Sequence, residues 1–224
     1  FLKYLIIQIG GKGLKLANLK SNEKRIIIEN TALYRYRDTY IKNGRIDVEN
    51  LSAFLLDCIN SGGFSKNKAV VVISDKFSII KEFTHPKAKQ KTLNSLAKFE
   101  AENILNLRVD DYIIQSYTYG NKPDGDNQYR SVMYAVKKDF IVDLKGIFKN
   151  TKIKVIKIIP SIYAFVNMIK AMLNLTPVYK GKTVAAVNLG SNSTNLVLFS
   201  NNIQIYQYTF ASVAHDIDIY LSKY

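Results

Sequence analysis

A chain of 224 residues with 47% hydrophobic and 22% charged residues is long enough for one large or two modest domains and too apolar to be disordered. Its single cysteine, Cys58, excludes an internal disulfide, and no apolar run approaches the roughly 18 residues of a membrane-spanning helix. The formal charge of +14 is spread as single lysines rather than packed in one block, which points to solvated faces, then to an anionic membrane surface or an acidic partner, and away from specific nucleic-acid binding.

Hydrophobic alternation predicts strands over residues 4–9, 14–19 and 25–34, with turns at Gly10-Gly11 and at Ser21-Asn22-Glu23. Residues 44–47 then turn into a helix. Asp47 fits its N-cap, Val48, Leu51, Phe54, Leu55 and Cys58 recur at helical spacing, and Gly62-Gly63 ends it. The spacing makes Cys58 a buried thiol. The apolar run 69–74 reads as a buried strand. Three strands, a helix and a strand are how a ribonuclease-H-like subdomain begins.

A second unit follows. Residues 77–83 read as a strand that His85-Pro86 breaks, and Leu93, Leu96, Ala97, Glu100, Ala101 and Ile104 trace a helix. Strands over 112–119 and 129–136 are joined by an exposed polar loop at 120–127. With a helix over 138–149, residues 77–149 read as an insertion into the first subdomain. The chain returns with a strand over 152–159 and an apolar helix over 161–173, entered by Pro160. After a linker at 176–181, strands over 183–189, 194–199 and 203–209 repeat the opening meander, and a last helix starts within 215–224. Residues 1–175 thus read as a first lobe. Residues 182–224 read as the start of a second, incomplete lobe, with no counterpart of the strand at 69–74.

The duplication carries chemistry at its turns. Gly10 and Gly190 hold matched places, and tight glycine turns offer backbone N–H groups to phosphate oxygens at close range. Lys15 would add a cation, and Ser191, Ser193 and Thr194 hydroxyl donors. A lone glycine in a hairpin is ordinarily just a turn former; two heading similar halves are what a phosphate clamp between duplicated lobes needs.

The motif Gln8-Ile-Gly-Gly-Lys-Gly-Leu-Lys15 resembles the first phosphate loop of the actin-like ATPase superfamily, Asp-x-Gly-Ser/Thr-x-x-x-Lys. Asn188-Leu-Gly-Ser-Asn-Ser-Thr194 is similar to its second, Asp-x-Gly-x-x-x-Thr. With Asn195 and Leu196 the second motif also resembles that of the PilM family of type IV pilus assembly, whose inserted 1C subdomain occupies the place of residues 77–149. The resemblance implies an α/β actin-like ATPase fold with ribonuclease-H-like subdomains. It implies an ATP cleft lined by Gly10, Gly11, Lys12, Lys15, Gly190, Ser191, Asn192 and Thr194. The family's loop aspartates, which hold hydrated Mg²⁺ and position water, would fall at Gln8 and Asn188. A neutral amide gives the cation no charge, so ATP and magnesium binding are expected to be weak or absent and hydrolysis impaired. The family's adenosine motif, which the resemblance would place well beyond residue 224, is missing from this sequence. The implied partner is a PilN-like inner-membrane protein whose cytoplasmic peptide docks beside the insertion; self-association and an anionic membrane surface are further options.

Other chemistries fit poorly. Two histidines, His85 and His215, with no cysteine beside them argue against zinc, and Asp216 and Asp218 read as helix-start residues. Strand tyrosines such as Tyr112, Tyr117, Tyr119, Tyr129 and Tyr134 read as packing residues. A two-metal nuclease needs carboxylates at the strand ends that carry Gln8 and Asn188. The expectation is a scaffold at the inner face of the cell membrane, in the cytoplasm, with no secretory signal. The alternatives are an active actin-like ATPase or sugar-kinase relative and, behind them, a basic nucleic-acid module.

Overall fold

The computed structural model describes residues 1–22, 25–66, 68–103, 105–121, 128–190, 193–211 and 220–221. Strands β1 (Leu2–Ile9), β2 (Gly13–Ser21) and β3 (Ile26–Arg35) form the expected meander. A small hairpin, β4 (Ile41–Lys42) and β5 (Arg45–Ile46), turns through Asn43 and Gly44, both at positive φ, into α1 (Val48–Ser61). Then come β6 (Lys68–Ile73), β7 (Ser78–Pro86), α2 (Gln90–Asn103), β8 (Tyr112–Asn121), β9 (Gln128–Lys137) and α3 (Lys138–Thr151). The chain continues with β10 (Val155–Pro160), α4 (Ser161–Leu175), β11 (Thr183–Leu189), β12 (Ser193–Ser200) and β13 (Ile203–Ala211). Ile104, most of the 120–127 loop and most of the last predicted helix, including His215, Asp216 and Asp218, lie outside the described residues.

Two compact units emerge, Phe1–Phe77 with Asp139–Ser161, and Ser78–Lys138 with Ile162–Tyr224. In the first, a five-stranded sheet runs in the order β10-β6-β1-β2-β3. Alternation along β1 and β2 sends Leu5, Ile7, Ile9, Leu14 and Leu16 to one buried face. The connection from β1 to its parallel neighbour β6 passes through α1, as a parallel pair requires. The α1 helix forms where expected. Asp47 accepts from the backbone N–H of Asn50 at 3.1 Å, Leu51, Phe54, Leu55, Cys58 and Ile59 are buried, and Gly62 caps the end. Cys58 is a buried free thiol, as its spacing predicts.

Helix α3 is the last element of the insertion read from the sequence over residues 77–149. It packs with the first unit: Phe140 stacks on Phe77 at 4.5 Å, and Gly146 approaches Val48 so closely that a Cβ there would lie 3.0 Å from Val48 Cγ1. Asp143, nearly buried, accepts from Arg45 Nε and Nη2 at 2.8 and 2.9 Å and from the Ile46 N–H at 3.0 Å. Its carboxyl is held below the usual carboxylate range, chiefly by the Arg45 hydrogen bonds. The apolar stripe of residues 138–149 predicts a helix but carries no record of which sheet receives it.

The second unit joins two three-stranded sheets, β7-β9-β8 and β11-β12-β13. Val132 and Tyr134 of β9, Ile162, Val166 and Leu173 of α4, and Val197 and Phe199 of β12 share one core, each such fully buried side chain contributing about 1.5–3 kcal/mol. So α4 packs against strands from both sheets, β9 and β12. Glu82 fastens the two sheets. Its carboxylate accepts from the Tyr119 hydroxyl and from the Gln207 N–H, while Arg130 donates to the Ile205 carbonyl at 2.7 Å. Tyr117 and Tyr134 pack edge-on against Tyr163 of α4, as strand tyrosines were expected to pack.

Strand β7 also runs through His85-Pro86 where a break was expected. As an edge strand it has a free side on which proline loses no ladder bond. His85 is buried, with Nε2 2.7 Å from Ser131 Oγ.

Candidate functional site

Each meander opens on a turn closed by the same hydrogen bond. Gly10 N–H donates to Gly13 O at 2.9 Å, and Gly190 N–H donates to Ser193 O at 3.0 Å. A Cβ would lie 3.0 Å from Gly13 O at the first position and 2.7 Å from Ser193 O at the second, so both turns close too tightly for a side chain to fit easily. The pairings correspond as well: Gln8 faces Lys15 and Ile9 faces Leu14, as Asn188 faces Asn195 and Leu189 faces Thr194.

Around the first turn, Gly11, Lys12 and Lys15 are exposed and Gln8 is half-buried. Gln8 and Lys15 point to the same side of the sheet, so the cation stands beside the strand-end amide. Around the second, Asn188 is half-buried, Thr194 is buried, and Ser191 and Asn192 lie outside the described residues. Asn195 takes the place that Lys15 holds in the first turn. It is fully buried and accepts from Thr209 Oγ1 at 2.9 Å. Among the described residues the two turns thus share a closing hydrogen bond and a strand register and differ in charge: the first carries Lys12 and Lys15, while Asn188, Thr194 and Asn195 flank the second.

Two residues at the first turn escaped the sequence reading. Tyr36, just after β3, donates from its hydroxyl to Gly10 O at 3.1 Å and from its N–H to Lys12 O at 3.0 Å. Its ring meets Tyr40 and Phe54 edge-on at 5.3 and 5.9 Å, and burial pushes its phenol well above the ordinary tyrosine range. Gly13 is the second. A Cβ there would come within 2.3 Å of Tyr34 O, so only glycine lets β3 close on the turn. The sequence signal for Gly13 was the third glycine of Gly10-Gly-Lys-Gly13; Tyr36 had none.

A magnesium ion at the two turns would need carboxylate donors. The two strand ends carry neutral amides, and the described residues include no group of three or more His, Cys, Asp or Glu able to hold a metal. That set does not fit a divalent cation, which favours carboxylate oxygens. The exposed lysines and closed turn suit a phosphate group better. Among the described residues no helix is long and apolar enough to cross a membrane.

Several solved structures share this fold. One titled "PilM-PilN type IV pilus biogenesis complex" superposes with a TM-score of 0.81 at 14% identity, over 98% of this chain and 65% of that one. A Bacteroides thetaiotaomicron protein with an actin-like ATPase fold matches at 0.56 and 11% identity, over 99% and 75%. The cytoplasmic domain of EpsL, an inner membrane component of the type II secretion system of Vibrio cholerae, matches at 0.54 and 10%, over 93% and 71%. No curated protein sequence matches. The chain thus has the actin-like ATPase fold and spans 65% of the length of the matched chain of the PilM-PilN complex. The family model described as type IV pilus assembly protein PilM matches residues 7–211, and the chain belongs to that family.

Proposed function

We propose that this chain serves a type IV pilus assembly machine as an actin-like scaffold. In this reading it holds the cytoplasmic tail of a PilN-like protein at the inner face of the cell membrane, and its nucleotide site has lost hydrolysis. The observation that carries the loss is the pair of amides, Gln8 and Asn188, at the strand ends before the two turns. Phosphates would lie against Gly10, Gly11, Lys12 and Lys15 on one turn and Gly190, Ser191, Asn192 and Thr194 on the other. No hydrolytic step is assigned, because an amide lends a metal or an attacking water no negative charge.

The likeness to the PilM-PilN structure supports the partner. The inserted sheet supports the mode: among the described residues β7 is an edge strand bonded to β9 alone, and an extended peptide adds to such an edge through its backbone. Scattered lysines near an anionic leaflet would each add about 1 kcal/mol. The test is ATP turnover by the purified chain with Mg²⁺. We expect a rate at the uncatalysed background, unchanged in Lys15→Ala; Mg²⁺-dependent turnover abolished by that substitution would overturn the reading.

A further inference from the structure

The first unit leaves one long strand edge open. Strand β3 ends the sheet order β10-β6-β1-β2-β3, and among the described residues it is bonded to β2 alone. Edge strands are ordinarily blunted by shortness, bulges, lysine or proline. β3 has neither lysine nor proline, and its one bulge, at Glu29, leaves residues 30–35 in regular register. Its one carboxylate, that of Glu29, is engaged in an ion pair with Lys20 of β2. Ile26 is 72% exposed, Ile28 65% and Leu33 62%. Such an edge presents a row of N–H and C=O groups to an added strand.

A cavity of about 550 Å³ opens beside the regular end of that edge. Leu33, Arg35 and Arg37 line it on one side, and Phe54, Asp57 and Cys58 of α1 on the other. Its volume falls within the roughly 300–1,000 Å³ of ligand pockets. Phe54 and Cys58 are buried and give it an apolar floor. The Arg37 guanidinium stands over the Phe54 ring, 5.8 Å from its centroid, and Tyr36 and Tyr40 hold the same ring at 5.9 and 5.3 Å. Arg35 and Arg37 are exposed, and among the described residues neither enters an ion pair. Two guanidinium groups thus face one carboxylate, Asp57, around an aromatic floor. The planar fork of each suits a carboxylate from outside.

We propose that the β3 edge and this cavity dock an acidic, extended segment of a partner protein. The segment adds to β3 through its backbone, seats one aromatic side chain on Phe54 and sets its flanking carboxylates on Arg35 and Arg37. Charge selects this occupant over a second copy of the chain. Two copies at +14 repel each other, and a second β3 would bring another Arg35 and no carboxylate beyond the paired Glu29. The site belongs to the first unit, whereas β7, the edge proposed for the PilN-like tail, belongs to the second. The two assignments therefore stand or fall separately.

Fluorescence anisotropy with the full chain tests this. The probe is a short, capped, labelled peptide of threonine and glutamate with glutamates on both sides of a central phenylalanine. Saturable binding in the micromolar range is expected, weakened about tenfold when lysine replaces each glutamate or glycine replaces the phenylalanine. The double variant Arg35→Glu, Arg37→Glu, with its fold checked by circular dichroism, should lose the acidic peptide by a like factor and bind the lysine peptide in its place. Two further probes are N-methylated at alternate amides, in opposite registers. One should bind and the other should not, because only one row of a strand's N–H groups faces its neighbour. No saturation, equal binding of the acidic and lysine peptides, no exchange of preference in the double variant, or equal binding of the two methylated probes would each overturn the assignment. Dimers of the parent chain in sedimentation that the double variant disperses would also overturn it, in favour of a second copy.

Discussion

Replacing Gly13 by alanine attacks the first turn where the structure leaves least room. The added Cβ would stand 2.3 Å from Tyr34 O and 3.2 Å from both Tyr34 C and Arg35 Cα. A carbon rests no closer than about 3.3 Å to such an oxygen, so β3 must retreat by roughly 1 Å. All the atoms in the way are backbone, and no rotamer change relieves them. The retreat falls where Gly13 pairs with Arg35 and Leu14 with Tyr34, so one or two ladder hydrogen bonds weaken at about 1 kcal/mol each, beside an overpacking cost of about 1–3 kcal/mol. We expect a loss of about 3 kcal/mol. Gly44→Ala calibrates it: nothing stands within 4 Å of the new Cβ, and the positive φ of 76° alone should cost about 1–2 kcal/mol. The chain has no tryptophan, so urea unfolding is best followed by far-ultraviolet circular dichroism. A Gly13→Ala loss equal to or smaller than that of Gly44→Ala would refute the close approach of β3 to the turn.

Tyr36→Phe keeps the ring against Tyr40 and Phe54 and removes only the hydrogen bond to Gly10 O. It should cost about 1 kcal/mol in the same urea assay. Asp143→Ala should destabilise the chain by about 2–3 kcal/mol at pH 7, since it removes the buried carboxylate that accepts from Arg45 Nε, Arg45 Nη2 and the Ile46 N–H and leaves those donors without it. The folded carboxyl is depressed, so its stabilisation is complete above the unfolded value near 3.9 and fades as pH falls through the folded value. The stability gap between Asp143→Ala and the parent should therefore be constant near neutral pH and narrow as pH falls below about 3.9.

Local rules were legible in the sequence because each rests on neighbouring residues. The alternation of Leu5, Ile7 and Ile9, the Asp47 cap, the Gly62-Gly63 stop and the repeated glycine turns all recur in the structure. What the sequence withheld was pairing across distance. Nothing in the stripe of Phe140, Leu144 and Ile147 says that it faces Phe77 and not the inserted sheet, and nothing in Val166 or Leu173 points to Phe199. Proline at position 86 reads as a break unless its strand is known to be an edge. Tyr36 reaches the first turn only through the return of β3, so its grip on Gly10 is a tertiary fact. These pairings also decide how the insertion is best probed. Deleting residues 77–149 would remove α3 from the first unit and Val132 and Tyr134 from the core of the second, so loss of binding would report only misfolding.

The intact chain therefore suits the decisive experiment, a calorimetric titration with a synthetic peptide of the PilN-like partner's cytoplasmic tail, without nucleotide. The scaffold reading predicts saturable one-to-one binding in the micromolar range, unchanged by added ATP and Mg²⁺ and absent for a scrambled peptide. No heat at high micromolar peptide, or binding that appears only when ATP and Mg²⁺ are present, would contradict it.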